Sequence, residues 1–160
     1  MQTAVKAGVV LGLLVVAWTF VMGFTGWYKH PTLLNLFWVV IPIQVGVLFW
    51  ELRKIAGEGR AYGGQIVAGM LSSLIGSVLI FAGSILFTTV AFPRYFEELQ
   101  TMGRELLRSQ GKSEAEIASQ MTAAVSMQTP VTQATIGAVG TNLTGLLTSL
   151  AVGAVYRRKG

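Results

Sequence analysis

Apolar and polar positions fall in long blocks along this chain. From about Ala7 to Tyr28, Pro31 to Trp50, Gly63 to Phe92 and Val131 to Tyr156, the sequence runs without Asp, Glu, Lys or Arg. A bilayer core of about 30 Å needs about 20 apolar residues in helical conformation. Each block reaches that length, so the pattern predicts an all-α membrane protein with four transmembrane helices. The first block exceeds the roughly 7–15 residues of a signal-peptide core and lacks a clear cleavage site, so it reads as a retained span. Only Lys29 and His30 separate it from the second block, and Pro31 suits a first helical turn. The two spans are expected to form a tight hairpin.

The stretch 93–130 breaks the pattern. Wound at about 100° per residue, Arg94–Arg108 places Tyr95, Phe96, Leu99, Met102, Leu106 and Leu107 on one arc. Arg94, Glu97, Glu98, Arg104, Glu105 and Arg108 fall on the other, which predicts an amphipathic helix with a solvated charged face. Gly111 is placed to end it, and Ser113 with Glu116 forms a capping box for a second short amphipathic helix carrying Ile117, Met121 and Val125. Thr129 and Pro130 then cap and open the fourth span. Residues 1–160 therefore read as one integral membrane domain with an extramembrane insert.

Composition strengthens this reading. Hydrophobic residues make up 52% and charged residues 12%, against about 25% charged in soluble domains; mean hydropathy is +0.61. The net charge of +5 does not imply nucleic acid, because the basic residues flank apolar blocks instead of gathering on one exposed face. With no cysteine, disulfides, thiolate nucleophiles and zinc–thiolate centres are excluded.

Lys and Arg also set an expected orientation. Lys6, Arg53, Lys54, Arg60, Arg157, Arg158 and Lys159 share one side, and the short turn opposite carries Lys29 alone. By the positive-inside rule both termini are cytoplasmic. Arg53, Lys54, Arg60, Arg157, Arg158 and Lys159 are candidate contacts for anionic lipid, at about 1 kcal/mol each, although setting topology is role enough for them.

Within the spans, Gly69, Gly76 and Gly83 recur every seven residues beside Ser72, Ser73, Ser77 and Ser84, the small-residue pattern that lets membrane helices approach closely. Gly8 and Gly12 in the first span, and Gly137, Gly140, Gly145 and Gly153 in the fourth, complement them. Gln44, Ser77 and Asn142 form a candidate intramembrane polar cluster, which serves either interhelical hydrogen bonding or a substrate path. Hydrogen bonding is favoured, since no ionisable residue is expected at depth. Pro42 is expected to kink the second span.

Catalytic chemistry finds few materials. There is one histidine, His30, and no Asp; the adjacent Glu97 and Glu98 diverge by about 100° on a helix. Asn142-Leu143-Thr144 matches a glycosylation pattern but lies mid-span. No catalytic residue, metal site or cofactor is expected.

An apolar hairpin, the loop "RKIAGEGRAYGGQ", a third span leading into "FPRYFEEL", an insert ending "MQTP" and a Gly-rich last span before "RRK" together resemble a family of small bacterial inner-membrane proteins classed as a domain of unknown function. The resemblance covers nearly the whole chain and implies a four-helix bacterial inner-membrane protein, with no substrate or catalytic residue to carry over. The expected role is a non-enzymatic accessory or assembly subunit that contacts membrane lipid, other membrane proteins or itself, and no nucleic acid. Its candidate contact residues are Tyr95, Phe96, Leu99, Glu97 and Glu98. The alternative is a small transporter or channel with a polar midplane site.

Overall fold

The structure is a computed structural model that describes residues 1–156. Four long helices, α1 (Gln2–Phe24), α3 (Val40–Gly57), α4 (Tyr62–Leu86) and α7 (Pro130–Val155), form the bundle. The one-turn α2 (Pro31–Leu34) leads into α3, and α5 (Tyr95–Ser109) and α6 (Glu114–Met127) lie between α4 and α7. Around the bundle the order is α1, α4, α7, α3, with α3 and α4 also touching across the centre. Among the described residues, four segments are long and apolar enough to cross a membrane, Gln2–Phe24, Pro31–Gly57, Tyr62–Ala91 and Pro130–Val155, with mean hydropathies of 2.3, 2.0, 2.2 and 1.4.

The distribution of side chains is inverted relative to a water-soluble domain. The buried face of α4 is Gln65, Ala68, Gly69, Ser72, Ser73, Gly76, Ser77 and Ile80, whereas Val67, Leu74 and Val78 of the same helix are exposed. Large apolar groups facing outward and small ones facing inward suit a lipid surround, where close backbone approach replaces the hydrophobic drive. The glycines show how close that approach is. A Cβ on Gly8 would lie 2.6 Å from the Ser72 carbonyl oxygen, and one on Gly76 would lie 2.6 Å from Leu11 Cδ2. The seven-residue glycine series serves two neighbours: Gly76 and Gly83 admit α1, while Gly69 admits Ser149 of α7.

Pro42 marks a change of helix type. The chain runs as 3₁₀ helix over Asn35–Val39 and becomes α-helix at Val40. Pro42 thus sits in the first turn of α3, where its missing N–H leaves no intrahelical bond broken. At the other end, α3 continues past Trp50 to Gly57, carrying Glu51 into the bundle. This corrects the expectation that no ionisable residue lies within the spans. The helix tolerates the extension because Glu51 lies on the same stripe as Gln44, Leu48, Leu52 and Ile55, all buried.

Local caps fall where the sequence places them. Ser113 and Glu116 form a reciprocal capping box at the start of α6, and the Thr129 hydroxyl accepts from the Thr132 N–H at 3.1 Å. Gly111, with φ of 75°, reverses the chain after α5 in the left-handed conformation that glycine adopts without steric cost.

Candidate functional site

Two regions concentrate polar chemistry, one at each end of the bundle. The first is built where the α1–α2 turn meets the start of α5. Gly26, with φ of 70°, turns the chain so that Tyr28 points inward and is buried. Tyr28, Phe87 and Tyr95 form a core to which Phe20, Phe92, Phe96 and Leu99 pack. Ring centroids lie 4.6 Å apart for Phe87–Phe92, 5.0 Å for Tyr28–Tyr95 and 5.2 Å for Phe87–Tyr95, within the range in which aromatic pairs attract beyond simple burial. Gly23 makes room, since a Cβ there would lie 2.6 Å from Phe87 Cε2.

A hydrogen-bonded clamp crosses this cluster. The Tyr28 hydroxyl donates to Glu98 Oε2, and Lys29 Nζ donates to Glu98 Oε1 at 3.1 Å. Gln133 of α7 donates to the Tyr95 hydroxyl at 3.4 Å. The bond from Tyr28 and then the ammonium of Lys29 hold the Glu98 carboxyl below the usual carboxylate range. Burial, followed by the adjacent carboxylate, pushes the Tyr28 hydroxyl well above its ordinary value. Beside the clamp lies a cleft of about 460 Å³ whose rim includes Gly26, Lys29, His30, Arg94 and Glu98.

The clamp changes the expected roles of several residues. Tyr95 is buried inside the cluster, and Glu98, part-exposed, turns toward Tyr28 and Lys29. Arg94 pairs with Glu97 at 3.5 Å, and Arg108 with Glu114 at 2.8 Å. Glu97 remains exposed, and Phe96 and Leu99 are part-buried against the aromatic cluster. With both its oxygens bonded, Glu98 is a structural anion and not a free base. Among the described residues no three His or acidic side chains gather as metal ligands would.

The three midplane residues do not hydrogen-bond to one another. Gln44 Nε2 donates across helices to Thr141 Oγ1 at 3.3 Å. Asn142 instead donates to the Ala138 carbonyl at 2.9 Å and Ser77 to the Leu74 carbonyl at 2.8 Å, each within its own helix. Of the three, only Gln44 bridges helices, as the favoured reading of interhelical hydrogen bonding has it.

The second region lies at the end of the bundle that carries Met1. Glu51 is 0% exposed, neither of its carboxyl oxygens has a hydrogen-bond partner, and it lies at the level of Ser72 of α4, since Ile55 and Ala68, one turn away on each helix, pack together. Sequence reasoning missed it because the apolar block was closed at the first charge. The spacing of Gln44, Leu48, Glu51 and Ile55, which continues the buried stripe past Trp50, was the signal that could have found it. Arg53, Lys54 and Arg60 are exposed around this end, with Lys54 Nζ 5.9 Å from the Trp50 ring centre. Arg157, Arg158 and Lys159 lie outside the described residues.

These features define an all-helical protein of the membrane-spanning class, with small residues inside and large apolar residues outside. The chain belongs to the DUF4199 family of proteins of unknown function, whose model matches residues 6–158. No curated protein and no solved structure matches it.

Proposed function

We propose that the protein is a non-enzymatic accessory or assembly subunit of a bacterial inner membrane, with both termini cytoplasmic and with the α5–α6 hairpin as its contact element for a protein partner. The Tyr28–Glu98–Lys29 clamp carries this reading. It fixes the hairpin to the first loop of the bundle, and a fixed pose lowers the ordering cost of binding. In the hairpin, Met121 packs toward Gly103, 3.6 Å from where a Cβ there would lie, while Val125 and Met127 stay exposed. Photo-crosslinkers at Glu97, Val125 and Met127 in native membranes test the proposal. A single discrete protein adduct that weakens in Glu98→Ala supports it. Recovery of bare monomer from all three positions refutes it.

The orientation rests on Arg53, Lys54 and Arg60 facing a turn that holds only Lys29. Because the chain has no cysteine, Lys112→Cys and Glu58→Cys give clean single labels. An impermeant maleimide should label Lys112→Cys alone in intact cells.

A small transporter is the second reading, favoured by one observation, the buried carboxyl of Glu51. Ionisable groups inside membrane bundles commonly mark ion or substrate paths. The absence of flux of any proton-coupled solute in proteoliposomes would count against it.

A further inference from the structure

The layer around Glu51 is rich in hydrogen-bond acceptors and short of donors. The Ser72 hydroxyl donates to the Ala4 and Ala68 carbonyls, both at 3.0 Å, so toward Glu51 it offers only lone pairs. Ser73 donates to the Gly69 carbonyl at 2.8 Å and Ser149 to the Gly145 carbonyl at 2.7 Å. Gln65 uses its amide N–H on the Arg60 carbonyl at 3.0 Å, which leaves its Oε1, like both oxygens of Glu51, without a partner. The hydroxyl protons of these three serines are therefore committed to backbone carbonyls. A carboxylate placed here is removed from bulk solvent and lacks a donor, the most costly state for a buried charge. A carboxylic acid supplies the missing donor.

We propose that Glu51 is a proton-binding site, holding its proton between the carboxyl group and the Ser72 hydroxyl oxygen in a chain that ends on the Ala4 carbonyl. Proton uptake forms one O–H bond on the carboxyl and removes one negative charge from the bundle; release returns that proton to solvent. The charged groups of the adjoining cleft, the Met1 amino group, Glu58 and Arg60, belong to exposed residues and are screened by water. The polar groups that α4 and α7 bury in this layer are serines, Gln65 and Thr148, none titratable, and Arg53 and Lys54 of α3 are exposed.

The route for the proton is one-sided. On α3, Leu48 lies between Glu51 and Gln44 and belongs to an apolar cluster with Leu11, Val15 and Ile80, which Val47, Ile43 and Val40 extend toward the other face. Toward the Met1 face, one helical turn from Glu51 on α3 and from Ser72 on α4, a cleft of about 50 Å³ is lined by Ala4, Ile55, Glu58, Arg60 and Ala68. Glu51 is thus a terminal site filled from one side, and it stands whether or not the protein moves a solute or binds a partner.

Infrared absorption of the whole protein in lipid nanodiscs at neutral pH tests it. The other six glutamates lie outside the bundle interior, exposed or in the clamp. The wild type should show a single neutral carboxylic carbonyl band that shifts in D₂O, disappears in Glu51→Gln, and moves to the frequency of an unbonded acid in Ser72→Ala. A wild-type spectrum with no such band overturns the proposal, and this outcome needs no variant to fold. So does a band that survives in Glu51→Gln, one that Ser72→Ala leaves in place, or one that sodium chloride removes at constant pH, which marks a metal-cation site instead.

Discussion

Tyr28 and Glu98, seventy residues apart in sequence, are joined by a hydrogen bond from the tyrosine hydroxyl to the carboxylate. Through it the first loop of the bundle holds the start of the hairpin that separates the third and fourth spans. Hydrogen bonds to charged groups contribute about 1.5–3 kcal/mol. Tyr28→Phe, which keeps the buried ring, should therefore cost no more than that and should loosen α5 selectively. Hydrogen exchange would then accelerate over Tyr95–Ser109 while the centre of α4 stays protected.

The clamp should be bounded in pH on both sides. The Glu98 carboxyl is held below its ordinary value of 4.5, so its contribution is complete above that value and is lost as pH falls through the lowered one. The Tyr28 hydroxyl is held above its ordinary 10.0, so its contribution is complete below 10.0 and is lost as pH rises further. Limited proteolysis of the hairpin against pH should show a protected plateau that ends on both sides. Glu98→Gln should abolish the acid edge, and an unchanged acid edge in that variant would assign the effect to another group.

Glycine positions should separate sharply by contact. A Cβ at Gly8 meets the Ser72 backbone oxygen at 2.6 Å, whereas one at Gly46 meets nothing within 4 Å. Gly8→Val should destabilise the bundle by about 1–3 kcal/mol or more, as overpacking does, and reduce the yield of folded protein in detergent. Gly46→Ala should be neutral or should stabilise α3 by up to about 1 kcal/mol from helix propensity. Thermal unfolding followed by circular dichroism distinguishes the two.

Loss of the Ser113 side chain should act locally. Its hydroxyl accepts from the Glu116 N–H, and Ser→Ala at an N-cap costs about 1 kcal/mol. Ser113→Ala is expected to speed hydrogen exchange over the first turn of α6, with no change in the bundle. Acceleration spread through α7 would mean that the hairpin and the bundle unfold together.

The sequence by itself determined the features that depend on local pattern. Four blocks free of charge marked four membrane-length helices, the glycine spacing marked the close contacts, and Ser113, Glu116 and Thr129 marked the caps where they occur. Each follows from chain-local physics: hydrophobic length against bilayer thickness, the absence of a Cβ, and orphan N–H groups at a helix start. Tertiary structure alone decided which polar groups meet. Glu98 reads as one of several charges on a solvated helix face until Tyr28 and Lys29 are brought against it, and Gln44 bonds Thr141 while Ser77 and Asn142 bond within their own helices. Glu51 looked like the end of a span because a charge in sequence reads as water. Its burial follows from α3 continuing one face for another two turns, with Ser72 supplied by α4, and no pattern within α3 shows what lies opposite.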